Sequence, residues 1–417
     1  MHVDRVNTRV VGKSWPRLLL VAGATASFWG AVFSIKRWID HYRSDQAVDD
    51  FRVYYYTARL GIEQGWNQIY NQDALRALMA KHFTGQLALI DGGHTFPNPP
   101  PLAWLIAPLT FLPFGPAYAI WTLVGLASLV VAWAIAAPYR GLARIAMLLT
   151  AVAIWPVHYS LIFGQPTPEL IALVAAAWWL LERDRVALAG IALALATGLK
   201  PQDMILVPVA LLLTGRGRVF AWWAGGCVVL GLIFFASLGV QGVVDFWNTT
   251  VVVESYPGHK IMTLASLFGP GLPAYALEGG SAVLALYGAW RHRSRLKLVI
   301  ALGLLGSVMS AVHAHESDYC VVLLAAWLVL ATPTSTAVRF WLLPGVVAVQ
   351  TMAIGLPLPT LLWEIVWLVL LVAERPLREA QNRNAEGQVG AGDEARLQSE
   401  HAGQRAIQGP GGGEVEI

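Results

Sequence analysis

The stretch Val48-Asp49-Asp50-Phe51-Arg52-Val53-Tyr54-Tyr55 sets two adjacent carboxylates among a cation and several aromatic rings, just after the first long apolar run of the chain. A carboxylate at the water-facing end of a helical bundle can act as a general base on a substrate hydroxyl. Two adjacent ones can hold a divalent cation. The pair can also simply cap the helix expected to start near Phe51, because negative charge favours a helix N-terminus. The neighbouring Arg52, Tyr54, Tyr55 and Arg59 suit an anionic or sugar-bearing ligand.

Three other clusters have chemical potential. Lys200 follows the apolar run 191–199 and precedes Pro201. A lysine at a span end commonly snorkels, but on an external face it suits a lipid-linked phosphate. Gln165 and Glu169 lie in the turn Phe163-Gly164-Gln165-Pro166-Thr167-Pro168-Glu169. Gln165 can hydrogen-bond sugar hydroxyls or satisfy loop backbone, whereas Glu169 reads better as a cap of the next helix. His313, His315, Glu316 and Asp318 form the densest polar group near a span end. Charged groups there line cavities more often than they face lipid. A sugar or phosphate contact is favoured over a metal, since no His-Glu-x-x-His pattern occurs. The chain has no phosphate-cradling Gly-rich loop, Ser nucleophile elbow or zinc signature. No cofactor and no metal are expected. An activated donor would have to arrive in the membrane, as a lipid-linked sugar does.

The elements that must position these residues are apolar helices. Apolar residues make up 56% of the 417-residue chain, charged residues only 13%, and mean hydropathy is +0.54. A soluble protein of this size needs far more surface charge. Runs long enough to span a bilayer recur from Leu18 to Val372, starting near Leu18, Pro101, Ala117, Leu142, Leu170, Val186, Met204, Phe220, Leu272, Leu298, Val321, Phe340 and Thr360. The expectation is an all-α polytopic integral membrane protein with 11 to 13 transmembrane helices. The first helix, preceded by Arg5, Arg9, Lys13 and Arg17, reads as an uncleaved anchor with a cytoplasmic N-terminus. The net charge of +3 sits at helix ends and reports topology, not nucleic-acid binding. Cys227 and Cys320 both lie in apolar runs and frame no disulfide.

Basic short loops mark the cytoplasmic side: Arg140 with Arg144, Arg183 with Arg185, Arg216 with Arg218, the cluster Arg291 to Lys297, Arg339, and Arg375 with Arg378. The loops around Gly164, Pro201, 240–270, His315 and Pro357 then face the other side. An external loop after the first helix requires an odd number of crossings before Arg140. Two candidates occur, 101–112 and 117–137, and the first is either re-entrant or a local exception to the charge rule. Residues 39–98 form a first external loop with amphipathic helices suited to the interface, patterned by Ala74, Leu75, Leu78, Met79 and Phe83. Residues 239–270 form a second external loop. The whole of 1–373 reads as one membrane domain, and 374–417 as a disordered cytoplasmic tail rich in Gly, Gln and Glu.

The blocks Asp50-Phe51-Arg52-Val53-Tyr54, Gly65 and Ile69-Tyr70-Asn71 resemble the first external loop of glycosyltransferase family 87. So do Phe96-Pro97-Asn98-Pro99-Pro100-Pro101-Leu102, Pro108-Leu109, Leu112-Pro113 and Trp121. Gly164-Gln165, Ala189-Gly190, Lys200-Pro201-Gln202 and His315-Glu316-Ser317-Asp318-Tyr319 before Leu323-Leu324 continue the pattern. The likeness runs from about 48 to 330. It implies a GT-C fold with its active site on the non-cytoplasmic face of the plasma (inner) membrane. It also implies a polyprenyl-phosphate-linked sugar donor, typically polyprenyl-phospho-mannose, a lipid or glycan acceptor, and inversion at the anomeric carbon. Asp50 maps onto the family's base, and Lys200 becomes a candidate contact for the leaving phosphate. Asp49, Arg52, Tyr54, Gln165, His315, Glu316 and Asp318 fill the candidate substrate-binding set. The late loop Ser310-Ala311-Val312-His313-Ala314-His315-Glu316 departs from the Ser-Pro-rich, Trp- and His-containing loop of the actinobacterial mannosyltransferases and resembles an acidic version of it.

Two other readings use the same residues. A transporter or flippase of a lipid-linked sugar would line a path with them, but matching halves with broken helices are expected there. A structural subunit of an envelope complex needs no carboxylate-lysine-histidine constellation.

Overall fold

In a computed structural model, residues 17–44, 49–82, 95–255 and 262–375 are described, and among them every regular element is helical. The chain is an all-α, polytopic membrane protein. Its described part belongs to one unit that closes at Ala373. The expected tail lies, beyond Arg375, outside the described residues, as do Phe83, His94, His259 and Lys260.

Helix α1 (Arg17–Arg43) packs on α6 through Ser27 and Thr150, whose hydroxyls are 2.8 Å apart. Next come α2 (Asp49–Gln64) and α3 (Gln72–Ala80), then α4 (Pro100–Ile106) with a 3₁₀ turn over Ala107–Phe111. A long helix α5 (Phe114–Ala136) precedes a pair bent by 56°, α6 (Gly141–Ala153) and α7 (Trp155–Phe163). Pro156 at the start of α7 lacks the N–H that would continue α6, so the bend falls there.

Shorter helices α8 (Thr167–Leu181), α9 (Val186–Leu199) and α10 (Leu206–Leu213) lead to α11 (Gly217–Ser255). That helix breaks at Gly239, whose φ of 64° only glycine adopts readily. The remainder is α12 (Ala265–Phe268), α13 (Leu272–Arg291), α14 (Leu296–Met309), α15 (Cys320–Leu330), α16 (Thr336–Phe340), α17 (Leu342–Ala348) and α18 (Leu358–Ala373).

Each span start read from the sequence falls on or beside one of these helices, but their lengths differ. Among the described residues four helices are long and apolar enough to cross a membrane alone, or five if α6 and α7 count as one broken span. Several of the others are short and apolar. Helices α8, α9, α14 and α15 have 15, 14, 14 and 11 residues. At a rise of about 1.5 Å per residue they cover roughly 16 to 22 Å of a hydrocarbon core about 30 Å thick.

Their basic ends gather at one end of the bundle. An Arg216 guanidinium N–H donates to the Arg293 carbonyl, Lys297 Nζ to Ala331 and Arg339 to Thr332. Cations here satisfy the last carbonyls of helices, which carry partial negative charge. Their opposite ends carry the polar residues singled out in the sequence.

The segment between 101 and 137, where the charge rule leaves two candidate crossings, packs as follows. Pro99, just before α4, lines the same cavity as Asp50 of α2. At the far end of the segment the Leu112 carbonyl accepts from Tyr55 Oη of α2 at 2.7 Å, and the Phe114 ring lies 5.7 Å from Phe51. The segment 100–111 therefore starts and finishes beside α2, and within 100–137 α5 is the helix long and apolar enough to cross a membrane.

Helix α3 is amphipathic as expected, burying Leu75, Leu78 and Met79 while Asp73 and Arg76 are exposed. Helix α2 is not a surface helix: Phe51, Val53, Tyr54, Tyr55, Tyr56, Ala58 and Leu60 are all buried, so neighbouring elements surround it.

Candidate active site

A cavity of about 260 Å³ opens where α2 meets the polar ends of the short helices. Asp50, Val53 and Tyr54 line it from α2, at the i, i+3, i+4 spacing that puts side chains on one helix face. Gln165, Lys200, Pro201, Gln202, His313 and His315 come from three connectors. Phe246, Thr250 and Val253 come from α11 beyond its break, and Thr95, Pro97, Asn98 and Pro99 close the ring.

The turn that presents Gln165 is built for close approach. Gly164 ends α7 in the left-handed conformation (φ 68°), and a Cβ there would meet Phe51 Cβ at 2.7 Å. Trp121 Nε1 of α5 donates to the Gly164 carbonyl at 2.7 Å, and Tyr118 Oη to Ile162 at 2.8 Å. The turn is thereby pinned against α2, and Gln165 Nε2 donates to Asp50 Oδ2 at 2.6 Å. That bond fixes one face of the carboxylate. Gln165 Oε1 is buried with no hydrogen-bond partner among the described residues.

Lys200 takes its position from Pro201, which ends α9 and biases the residue before it to an extended backbone. The side chain does not snorkel: it is 4% exposed. Its ammonium pairs with Asp318 Oδ1 and donates to Ser317 Oγ at 3.3 Å. Asp318 is the third residue of the 3₁₀ turn Glu316–Tyr319, N-capped by His315, before α15. Its Oδ2 accepts the His315 backbone N–H at 2.8 Å, and the Ser317 hydroxyl donates to Oδ1 at 3.2 Å. Lys200 thus reaches the cavity as half of a buried ion pair, not as an isolated cation.

The predicted residues divide accordingly. Asp50, Tyr54, Gln165, Lys200 and His315 are brought to one cavity. Asp318 stands behind its wall, held to Lys200. Glu316 is half-buried beside them; burial foremost, then the Asp318 and Asp50 charges, push its carboxyl up from the usual range. Burial, and next Asp50, push the Tyr54 phenol well up, so it stays protonated and able to donate. Arg52 is buried but is not among the cavity-lining side chains. Asp49 opens α2, and its side chain lies outside the described residues. Glu169 sits in the first turn of α8, yet it is buried with neither carboxylate oxygen hydrogen-bonded, so it is no solvent-facing cap.

Sequence reasoning missed Asp203. It is 1% exposed, and its Oδ2 lies 3.9 Å from Lys200 Nζ. A signal was present: Pro201 starts a 3₁₀ turn, in which residues three apart share a face. His313, named in the sequence with the polar cluster but not in the substrate-binding set, also lines the cavity, its ring edge-on to His315 with centroids 5.0 Å apart.

A model of glycosyltransferase family 87 matches residues 96–349. That segment carries Gln165, Lys200, Asp203 and the 313–318 block, and begins after α2. Two similar proteins are each a polyprenol-phosphate-mannose-dependent alpha-(1-2)-phosphatidylinositol pentamannoside mannosyltransferase. That of Mycolicibacterium smegmatis (strain ATCC 700084 / mc(2)155) is 28% identical over 265 residues, 56% of this chain and 60% of that protein. That of Mycobacterium tuberculosis (strain CDC 1551 / Oshkosh) is 28% identical over 257 residues, 56% of this chain and 58% of its own length. The chain thus covers less than two thirds of either relative. No solved structure matches.

Proposed function

This chain belongs to glycosyltransferase family 87, and on that premise we propose that it is a membrane hexosyltransferase. It takes a hexose, mannose in the first place, from a polyprenyl-phosphate donor and passes it to a hydroxyl of a lipid or glycan acceptor. The names of its two relatives support the donor. The reaction occurs at the end of the bundle away from the basic loops, which are cytoplasmic by the charge rule, as are the N-terminus and the tail. The plasma membrane and a GT-C architecture complete the reading.

The observation that carries it is the convergence of Asp50, Gln165, Lys200 and His315 on one cavity. Asp50 is the general base. It takes the acceptor proton as the acceptor oxygen attacks the anomeric carbon. The bond from that carbon to the phosphate oxygen breaks, and polyprenyl phosphate leaves from the opposite face, so configuration inverts. Gln165 holds the carboxylate for that approach through its 2.6 Å hydrogen bond. Lys200 stabilises the negative charge that grows on the leaving phosphate. The Tyr54 hydroxyl and the His315 ring are placed to contact sugar or phosphate oxygens. The short helices support this reading: a helix of 14 or 15 residues is shorter than the hydrocarbon core, which suits a donor whose sugar is tethered to a lipid.

The test uses purified protein in nanodiscs with radiolabelled polyprenyl-phospho-mannose and host lipid and glycan fractions. Wild type transfers label, and Asp50→Asn loses about 10²- to 10⁴-fold in rate, the usual share of a general base. Equal rates for the two proteins would move the base elsewhere. No transfer from any polyprenyl-phospho-hexose would sink the enzyme reading.

A further inference from the structure

Two carboxylates, Asp203 and Asp318, surround one ammonium, that of Lys200, and all three side chains are buried. Asp203 and Asp318 cannot both be charged there without leaving a net negative charge away from water, which burial penalises severely. The hydrogen bonds decide which one keeps a proton. Asp318 accepts from Lys200 Nζ, from the Ser317 hydroxyl and from the His315 backbone N–H. Asp203 Oδ2 is buried with no hydrogen-bond partner among the described residues, and at 3.9 Å it is too far from Nζ for a hydrogen bond. Donors favour the charged form, so Asp318 is the anion.

We propose that Asp203 is a positioning residue for Lys200: as a neutral acid it flanks the ammonium without neutralising it further, so an anionic donor meets a cation and not a second carboxylate. The proposal rests on the donor being a sugar phosphate, as argued above. Burial, with the Asp318 charge next, pushes the Asp203 carboxyl well up, while Lys200 and the His315 contacts hold Asp318 below the usual range against its own burial. The charged groups facing Asp203 are Lys200 and Asp318; Cys320, Asp50 and His315 act on the same cluster from beyond them. The 3₁₀ turn packs on α9 and α14, which present no ionisable side chain between 186 and 199 or between 299 and 309.

The sign follows. As pH rises through the raised Asp203 value, a second negative charge appears beside Lys200, donor binding weakens and donor KM climbs. Donor KM and kcat measured against pH in nanodiscs for wild type, Asp203→Asn and Asp203→Ala test this. Asp203→Asn keeps a neutral group in place and flattens the alkaline rise. Asp203→Ala leaves the ammonium less supported and raises donor KM about tenfold at every pH. Identical KM–pH curves for wild type and Asp203→Asn would overturn the proposal. A second readout needs no substrate: the pH-titrated infrared difference between wild type and Asp203→Asn contains a protonated-carboxyl C=O band at neutral pH. Absence of that band overturns the proposal as well. A wild type inactive with every donor but retaining the band would sink the functional reading and leave the proton on Asp203. If Asp203→Asn is not recovered folded, Asp203→Ser is measured in the same two ways.

Discussion

At the scale of residues, the chemistry rests on two pairs of different character, one part-buried and one buried. Gln165 and Asp50 form a neutral-to-charged hydrogen bond at the cavity surface, while Lys200 and Asp318 form an ion pair 118 positions apart in sequence. In the proposed mechanism Gln165 acts on the transition state through the carboxylate it orients. Gln165→Ala therefore lowers kcat about 10- to 100-fold with little change in donor KM, a split that steady-state kinetics resolves. A rise in KM alone would make Gln165 a binding residue instead. The Lys200 pair behaves differently, because removing one member strands a buried charge. Asp318→Asn should destabilise the fold by about 3–5 kcal/mol as well as weaken donor binding, which thermal unfolding in detergent measures. Asp50 and Lys200 were legible as candidates because ionisable groups are rare near apolar helices. The partners were not legible: Gln165 and Asp50 are 115 positions apart, and no local pattern signals such a contact.

At the scale of elements, two turns and a set of short helices position the site. The turn after α7 works because Gly164 supplies both a left-handed backbone and the space that Phe51 fills. Gly164→Ala meets both problems at once. The backbone term alone is about 1–2 kcal/mol, and the 2.7 Å approach pushes α2 away from Gln165. The expected result is a lower melting temperature together with a loss of transfer activity larger than that of Gln165→Ala. Wild-type activity in a folded Gly164→Ala protein would show that the α2 contact is dispensable. Hydrophobic runs mark where helices occur, since hydropathy and proline positions are local. They do not reveal that α2 is buried over most of its length, because its Tyr-rich sequence suits an interface equally well.

At the scale of the whole molecule, the bundle is polarised: basic loops interlock at one end and the cavity opens at the other. The segment 100–111 belongs wholly to the cavity end, which gives a labelling prediction. In a background with Cys227 and Cys320 replaced by alanine, Pro113→Cys and Gln241→Cys react with a membrane-impermeant maleimide from one side. Arg218→Cys and Arg293→Cys react from the other. Labelling of Pro113→Cys together with the arginine positions would mean that 100–111 crosses after all.

The sequence by itself determined the helical, membrane-embedded character and the basic ends, and it singled out Asp50, Tyr54, Gln165, Lys200 and His315 among the cavity residues. Each of these follows from short-range properties: apolar length, charge at span ends, and a proline or glycine at a turn. Only the tertiary structure decided that Asp50 meets Gln165, that Lys200 is already paired, that Asp203 shares its pocket and that 100–111 begins and ends beside α2. Those outcomes depend on which helix ends stop short and meet: Asp50–Gln165 and Lys200–Asp318 are contacts more than a hundred residues apart, and Tyr55–Leu112 closes a loop of 57.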